Sequence, residues 1–206
     1  MEIDPEQLSA RDRYALLIGS ILPRPIAWVS TCDGSGATNL APFSFFTGIA
    51  AEPMSVCFCP VNDREGRKKD TLRNVETTRE FVVNVVSESL VEKMNQTSAP
   101  YPYGVSEFDE VGLTEVESLR VRPPRVKESL VSMECKVVQI VALGHGPLAG
   151  HVVIGKVVMF HADDKVYKDG RLSHKDLKTV GRMEGAWYAR TQDAFELPRP
   201  VVEPKK

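Results

Sequence analysis

Two long runs rich in β-branched residues, VSMECKVVQIVALG (Val131–Gly144) and HVVIGKVVMFHAD (His151–Asp163), constrain this chain more than any other feature. Their composition suits strands, and only the Gly- and Pro-bearing HGPLAG separates them. Three shorter runs of the same character precede them: IAWVST (Ile26–Thr31), MSVCFCPV (Met54–Val61) and FVVNVVS (Phe81–Ser87). Asp33-Gly34-Ser35-Gly36 is a turn signal, with a return arm from Ala37 to Phe46, and Asp169-Gly170 marks a tight turn between KVY and RL. Helical spacing is confined to short pieces. Tyr14, Leu17, Ile18 and Ile21 mark one between Glu6 and Leu22, stopped by Pro23 and Pro25. Thr71–Arg79, with Asp70 as its cap, and Ser89–Gln96 are two more. Ala99 to Pro124 reads as an acidic loop, and the tail from Phe195 as extended. Strands that do not alternate regularly with helices favour an antiparallel barrel with peripheral helices over a doubly wound sheet. With no internal repeat and no low-complexity linker, one domain over residues 1–206 is expected, its core at about 20–190.

Composition narrows the function classes. Lys and Arg number 26 against 28 Asp and Glu, a net charge of −2, so the chain lacks the positive field that binding duplex nucleic acid needs. The best apolar stretch near the start, Tyr14–Leu22, is about half of the roughly 20 residues that span a bilayer. The opening MEIDPEQLSARDRYALL is acidic and polar, unlike a secretory signal, so no membrane partner and a cytoplasmic setting are expected. The thiols of Cys32, Cys57, Cys59 and Cys135 are then expected to stay reduced. Cys57 and Cys59 would share one face of a strand as core packing, and His145, His151, His161 and His174 show no metal-ligand spacing.

Two nucleotide motifs fail on physical grounds. Gly150 to Lys156 matches the start of a P-loop, but Val157 supplies no hydroxyl for magnesium and the middle residues want to be a strand. Gly34-Ser35-Gly36 begins a dinucleotide fingerprint whose third glycine is Asn39, followed by a Pro-bearing segment rather than a helix. There is no Gly-x-Ser-x-Gly elbow either.

Two segments carry chemistry. Asn39-Leu40-Ala41-Pro42-Phe43-Ser44-Phe45-Phe46 sets three aromatics and a proline beside two polar side chains. Pro42 cannot donate to a ladder, so this strand should begin irregularly or lie at an edge, with amides free for a planar heteroaromatic ligand. The same residues also read as an aromatic core strand with a turn. Arg64-Glu65-Gly66-Arg67-Lys68-Lys69-Asp70-Thr71 is a basic loop entering a helix, where unpaired amides and the dipole suit a phosphate. Its plainer reading is a solvated basic loop. An aromatic platform with a phosphate cradle points toward a mononucleotide such as FMN and leaves the ligand open.

Six ordered segments together are similar to one family. They are PRPIAWVSTCDGSGATNLAPFSFF (Pro23–Phe46), KKDTLRNVETTREFVVNVV (Lys68–Val86), YGVSEFDEVGL (Tyr103–Leu113), PRVKESLVSMECKV (Pro124–Val137), IGKVVMFHADD (Ile154–Asp164) and GRMEGAWYAR (Gly181–Arg190). The chain resembles the flavin reductase-like proteins with an FMN-binding split barrel, flavoredoxins among them. The resemblance implies a mainly β fold, a six-stranded antiparallel split β-barrel with short flanking helices, and a homodimer with FMN near the interface. It implies that Ser30 and Thr31 lie beside the ring system and that Asn39, Ala41, Pro42, Phe43 and Ser44 line the ring and ribityl chain. Lys69, Asp70 and Thr71 would hold the phosphate, with Arg182 and Tyr188 as further contacts, and His174 lies where a contact has no motif to support it. Many relatives read Gly-Glu-Val where this chain has Gly155-Lys156-Val157, which bears on substrate preference if that position faces the substrate cleft. The implied activity is hydride transfer from NADH or NADPH to flavin, with a small-molecule redox substrate or a partner oxygenase downstream and no catalytic side chain required. An FMN-binding electron carrier without nicotinamide activity and a flavin-dependent oxygenase of a small organic molecule are the alternatives.

Overall fold

The computed structural model describes residues 1–201; the last five residues of the expected extended tail lie outside the described residues. Strands β1 (Ala27–Cys32), β2 (Thr38–Phe43), β3 (Phe46–Ala51), β4 (Met54–Phe58) and β5 (Glu80–Val85) belong to one antiparallel sheet with the long β8 (Val131–Ala142) and β9 (His151–Ala162). Two-residue strands β6 (Glu115–Val116) and β7 (Arg125–Val126) pair with each other, as do β10 (Tyr167–Lys168) and β11 (Arg171–Leu172). The hairpin β12 (Val180–Arg182) and β13 (Tyr188–Arg190) closes the chain. Helices are short: α1 (Ala10–Ser20), α2 (Asp70–Thr78), α3 (Val91–Gln96), α4 (Glu107–Glu110) and α5 (His174–Leu177).

The main sheet runs β2-β1-β5-β8-β9-β4-β3. It has seven strands, where the resemblance implied six. The expected return arm Ala37–Phe46 breaks at Ser44–Phe45, and the chain resumes as an added strand, β3, against β4. Its two edge strands, β2 and β3, are therefore consecutive in sequence and only two residues apart. That linkage forces the sheet to curl until its edges meet at the Ser44–Phe45 bend, which is a split barrel. Pro42 sits on the edge strand, as its missing N–H requires.

Barrel filling comes from side chains of alternate positions. Phe43, Phe58 and Phe81 stack tilted to edge-on with centroids 5.1 Å apart, joined by Ala27, Val29, Val83 and Val153. Burying Phe58 and Phe81 is worth about 1.5–3 kcal/mol each. Leu72 and Val75 of α2 complete this cluster, so the helix plugs one mouth of the barrel. All six residues of β1 are buried, because its other face packs Trp28 against Leu40, Met94 and Phe108 under α3 and α4. A Cβ at Gly155 would meet the Phe81 ring at 2.3 Å. The glycine of the false P-loop is thus a packing requirement in the middle of β9.

Three local expectations change. Lys69, not Asp70, is the N-cap of α2, and Asp70 is its first helical residue, where a carboxylate suits the dipole. The predicted loop from Ala99 to Pro124 contains α4 and β6, held by the fully buried Phe108 rather than by any periodicity. The first helix starts at Ala10, capped by Ser9 Oγ on the Asp12 N–H, and buries none of its own residues.

Candidate functional site

A cleft of about 1780 Å³ opens where the barrel edge, α2 and α1 converge. One wall is the edge strand and bend, Ala41 to Phe45; the N-terminus of α2, Lys69 to Thr71, forms the opposite end. Tyr14 and Leu17 of α1 lean in, Tyr14 against Phe45 at 6.3 Å between centroids. The loop 98–103 and the β8–β9 connection, residues 143–150, complete the rim. That connection is pinned to the basic loop: Asn62 N–H donates to Ala149 O, Leu148 N–H to Asp63 O, and Asn62 Nδ2 to Gly146 O. Gly66 lies so close to Gly146 that an added Cβ would meet its backbone at 3.1 Å.

Beneath the cleft lies a closed polar cluster built on Asn39. Glu107 accepts from Asn39 Nδ2 at 2.9 Å through both oxygens and from the Leu40 N–H at 2.7 Å. An ionised carboxylate only accepts, so the Asn39 amide nitrogen must face Glu107 and its Oδ1 must face the other way. There Oδ1 takes the hydroxyl protons of Thr71 at 2.8 Å and Thr31 at 3.2 Å, while Asn74 Nδ2 donates to Thr31 Oγ1. Burial pushes the Glu107 carboxyl up from the ordinary carboxylate value, against the pull of its N–H donors. No cation pairs with it among the described residues.

At the upper surface the donors are open. The N-cap Lys69 makes no side-chain cap bond, and the N–H groups of Asp70 and Thr71 have no protein acceptor among the described residues. This is the arrangement that takes an anion at a helix N-terminus. The positive charge beside it is smaller than the sequence suggests. Arg67 is held by Asp63 at 2.7 Å and Glu65 at 3.2 Å, and Lys68 by Glu76 at 2.7 Å. Lys69 has no ion pair among the described residues. Arg73 lies 3.7 Å from Asp70 and over the Tyr103 ring. Burial raises the Asp70 carboxyl, with Arg73 and Lys69 opposing.

The expected site residues divide accordingly. Asn39, Ala41, Pro42, Phe43, Ser44, Lys69, Asp70 and Thr71 all line this one cleft. Ser30 and Thr31 are fully buried and do not: Ser30 Oγ donates to Pro124 O, and Thr31 belongs to the closed cluster. Arg182 and Tyr188 lie off the cleft on β12 and β13, bonded to each other, with Tyr188 Oη donating to Asn95. His174 begins α5, and Lys156 is exposed on β9 opposite Ser55; neither lines the cleft. Cys59 half-lines it as a free thiol, and burial raises both Cys59 and Cys57. Sequence reasoning missed Glu107 and the β8–β9 connection. Glu107 reaches Asn39 from 68 residues away, and no local pattern signals such a contact. Among the described residues there is no cluster of His, Cys, Asp or Glu fit for a metal, and no helix long and apolar enough to cross a membrane.

Known proteins share this fold. The crystal structure of nitrilotriacetate monooxygenase component B from Bacillus cereus superposes with a TM-score of 0.91 at 37% identity, covering 96% of this chain and 98% of its own. The Pseudomonas fluorescens 2-nitrobenzoate 2-nitroreductase NbaA gives 0.88 at 28%, covering 100% and 99%. A putative flavin reductase with split barrel domain from Shewanella frigidimarina gives 0.81 at 28%, covering 97% and 100%. The family model described as flavin reductase like domain matches residues 18–177. With that match spanning most of its length, and the split barrel it shares with these structures, the chain belongs to the flavin reductase-like family.

Proposed function

We propose that this cleft binds FMN and that the chain is an NAD(P)H-dependent flavin reductase working as one domain. One observation carries the reading: a helix N-terminus with no side-chain cap, and a lysine with no ion pair among the described residues, share a single cleft with the Pro42–Phe43–Ser44 edge. Bound there, FMN would accept hydride from a nicotinamide and pass electrons onward. The protein's own part is to hold and orient. Lys69 and the N–H groups of Asp70 and Thr71 take the phosphate, while Ala41, Pro42 and Phe43 offer an apolar wall to the ring system. The Leu40 N–H is taken by Glu107 and Pro42 has none, so the Ser44 hydroxyl supplies the polar contact of this wall. The Bacillus cereus neighbour is one component of a monooxygenase, which supports a partner oxygenase as the consumer of reduced flavin. The nitroreductase neighbour supports a second reading, direct reduction of a small aromatic beside the flavin.

The reading includes a homodimer in a cytoplasmic setting where the thiols stay reduced. Supporting the dimer, β3 is an exposed edge strand with no charged side chain, carrying Ile49 at 47% exposure. Such an edge needs a cover. Leu16, Ile21 and Leu22 at and beyond α1, with Val138 on β8, add exposed apolar surface.

Absorbance titration with FMN and then with each nicotinamide tests the reading. Stoichiometric yellow protein that bleaches near 450 nm with NADH or NADPH is the expected result. Bleaching by neither nucleotide removes the reductase while sparing an electron carrier, and no uptake of FMN removes the flavin site.

A further inference from the structure

Arg24 is 3% exposed and has no carboxylate partner among the described residues. Its guanidinium is satisfied by neutral oxygens. Nη1 donates to Ile18 O at 2.6 Å and Ile21 O at 3.2 Å, Nη2 to Met183 O at 2.8 Å, and Nε to Ser44 Oγ at 3.3 Å. Its backbone exchanges two hydrogen bonds with Arg182, so the side chain starts from a fixed base. Burial lowers its pKa from the ordinary arginine value, yet the group stays a cation at neutral pH. A buried positive charge therefore stands directly behind one hydroxyl of the cleft wall.

That hydroxyl differs from its neighbours. Ser30 donates to Pro124 O, and Thr31 and Thr71 both donate to Asn39 Oδ1. Ser44 alone of these four accepts from a cation and has no acceptor for its own proton among the described residues. Its lone pair is held from behind by Arg24, so its proton is free to point into the cleft. A hydroxyl that accepts from a cation is also polarised into a stronger donor.

We infer that Arg24 is a positioning residue that aims and strengthens the Ser44 hydroxyl as a donor to a ring system that gains electrons in this cleft. The inference rests on the flavin reading above. Its consequence is specific: a donor aimed at an electron-rich acceptor holds the reduced ring more tightly than the oxidised one. The arginine sets the redox balance through the serine, without touching the ligand.

The test uses the FMN-loaded protein and reads the midpoint potential of the bound flavin by anaerobic spectroelectrochemical titration. Ser44→Ala is expected to weaken binding of the reduced relative to the oxidised form by about tenfold, which for a two-electron couple lowers the potential by about 30 mV. Arg24→Gln is expected to give most of that shift, Arg24→Lys less, and the Arg24→Gln/Ser44→Ala pair no more than Ser44→Ala alone. Should Arg24→Gln fail to fold, Arg24→Lys carries the test: it keeps the charge but loses the Nε contact, so its potential should fall part of the way toward that of Ser44→Ala, and an unmoved potential overturns the inference. An unmoved potential in Ser44→Ala, or shifts that add in the double variant, overturns the inference while the flavin reading stands. Wild-type protein that takes up no FMN overturns both at once.

Discussion

The floor and the rim of the cleft are built from the same residue types and behave oppositely. On the floor, Asn39, Thr31, Thr71, Asn74 and Glu107 satisfy one another, and every hydroxyl proton there has a protein acceptor. On the rim, the Ser44 proton, the Lys69 ammonium and two backbone N–H groups have none among the described residues. Lining a site and serving it are therefore different things. A polar group whose donors are consumed by the fold shapes the cleft, and only one with donors left over is available to a ligand. Thr71 crosses the divide, since its side chain belongs to the floor and its N–H to the rim.

The sharpest way to break the comparison is to open the floor. Glu107→Ala strands the Leu40 N–H and the Asn39 amide without acceptors in a buried setting. The expected loss is about 2–4 kcal/mol of stability, read as a lower urea midpoint, with flavin binding lost in parallel. Glu107→Gln should cost less, because Asn39 can turn its oxygen toward the new amide and its nitrogen toward the two threonine oxygens. The pH dependence has a definite sign. Burial raises the Glu107 carboxyl in the folded state, so folding favours its protonated form. That contribution is fully present below the ordinary carboxylate pKa and is lost as pH rises through the raised one. Wild type should therefore gain stability relative to Glu107→Gln as pH falls through that window. Gain in the opposite direction would mean that the N–H donors outweigh burial.

Next in size is Thr71→Val. If the threonine hydroxyl belongs to the floor, its loss leaves Asn39 Oδ1 with only the longer Thr31 bond and costs about 1–2 kcal/mol of stability. FMN and riboflavin affinities should then fall together. Selective loss of FMN would move that hydroxyl to the rim.

Lys69→Ala should do the reverse. Removing one charge-assisted contact to phosphate weakens FMN by about tenfold or more by calorimetric titration. Riboflavin, which lacks the phosphate, should bind as before, and the urea midpoint should hold.

Much of this division was legible in the sequence, and the illegible part has a physical cause. Pro42 announces an edge strand because it cannot donate, and the Asp33 turn forms as read, its Oδ1 accepting from the Ser35 and Ala37 N–H groups. The cleft wall from Asn39 to Ser44 and the start of α2 are local features, so local reasoning reaches them, the helix start to within one residue: it names Asp70 where Lys69 is the cap. Glu107 and Arg24 act across the fold: Arg24 reaches Met183 over 159 positions. Neither has a flanking pattern that names its partner. The sequence also lists hydroxyls without saying where their protons go. That is why Ser30, Thr31, Thr71 and Ser44 look alike as letters and differ once hydrogen-bonded.

The smallest effect is expected where the sequence looks most basic. Arg64 to Lys69 reads as a run of positive charge, yet the structure pairs two of its four cations, Arg67 and Lys68, with carboxylates. Lys68 is 44% exposed at its side chain and is bound by both oxygens of Glu76, while Arg67 is bound by Asp63 through its side chain and its N–H. Each cation with its carboxylate forms a near-neutral pair, whose field falls off faster than that of a lone charge and is further screened by salt. Lys68→Ala should therefore change FMN affinity by about twofold or less at physiological ionic strength, against about tenfold for Lys69→Ala one residue away. The pairing supplies its own control: Glu76→Gln frees the Lys68 ammonium and should tighten FMN slightly, most visibly at low salt. If Lys68→Ala matches Lys69→Ala, the ion pair with Glu76 opens when the ligand arrives, and the rim extends one residue further into the basic loop.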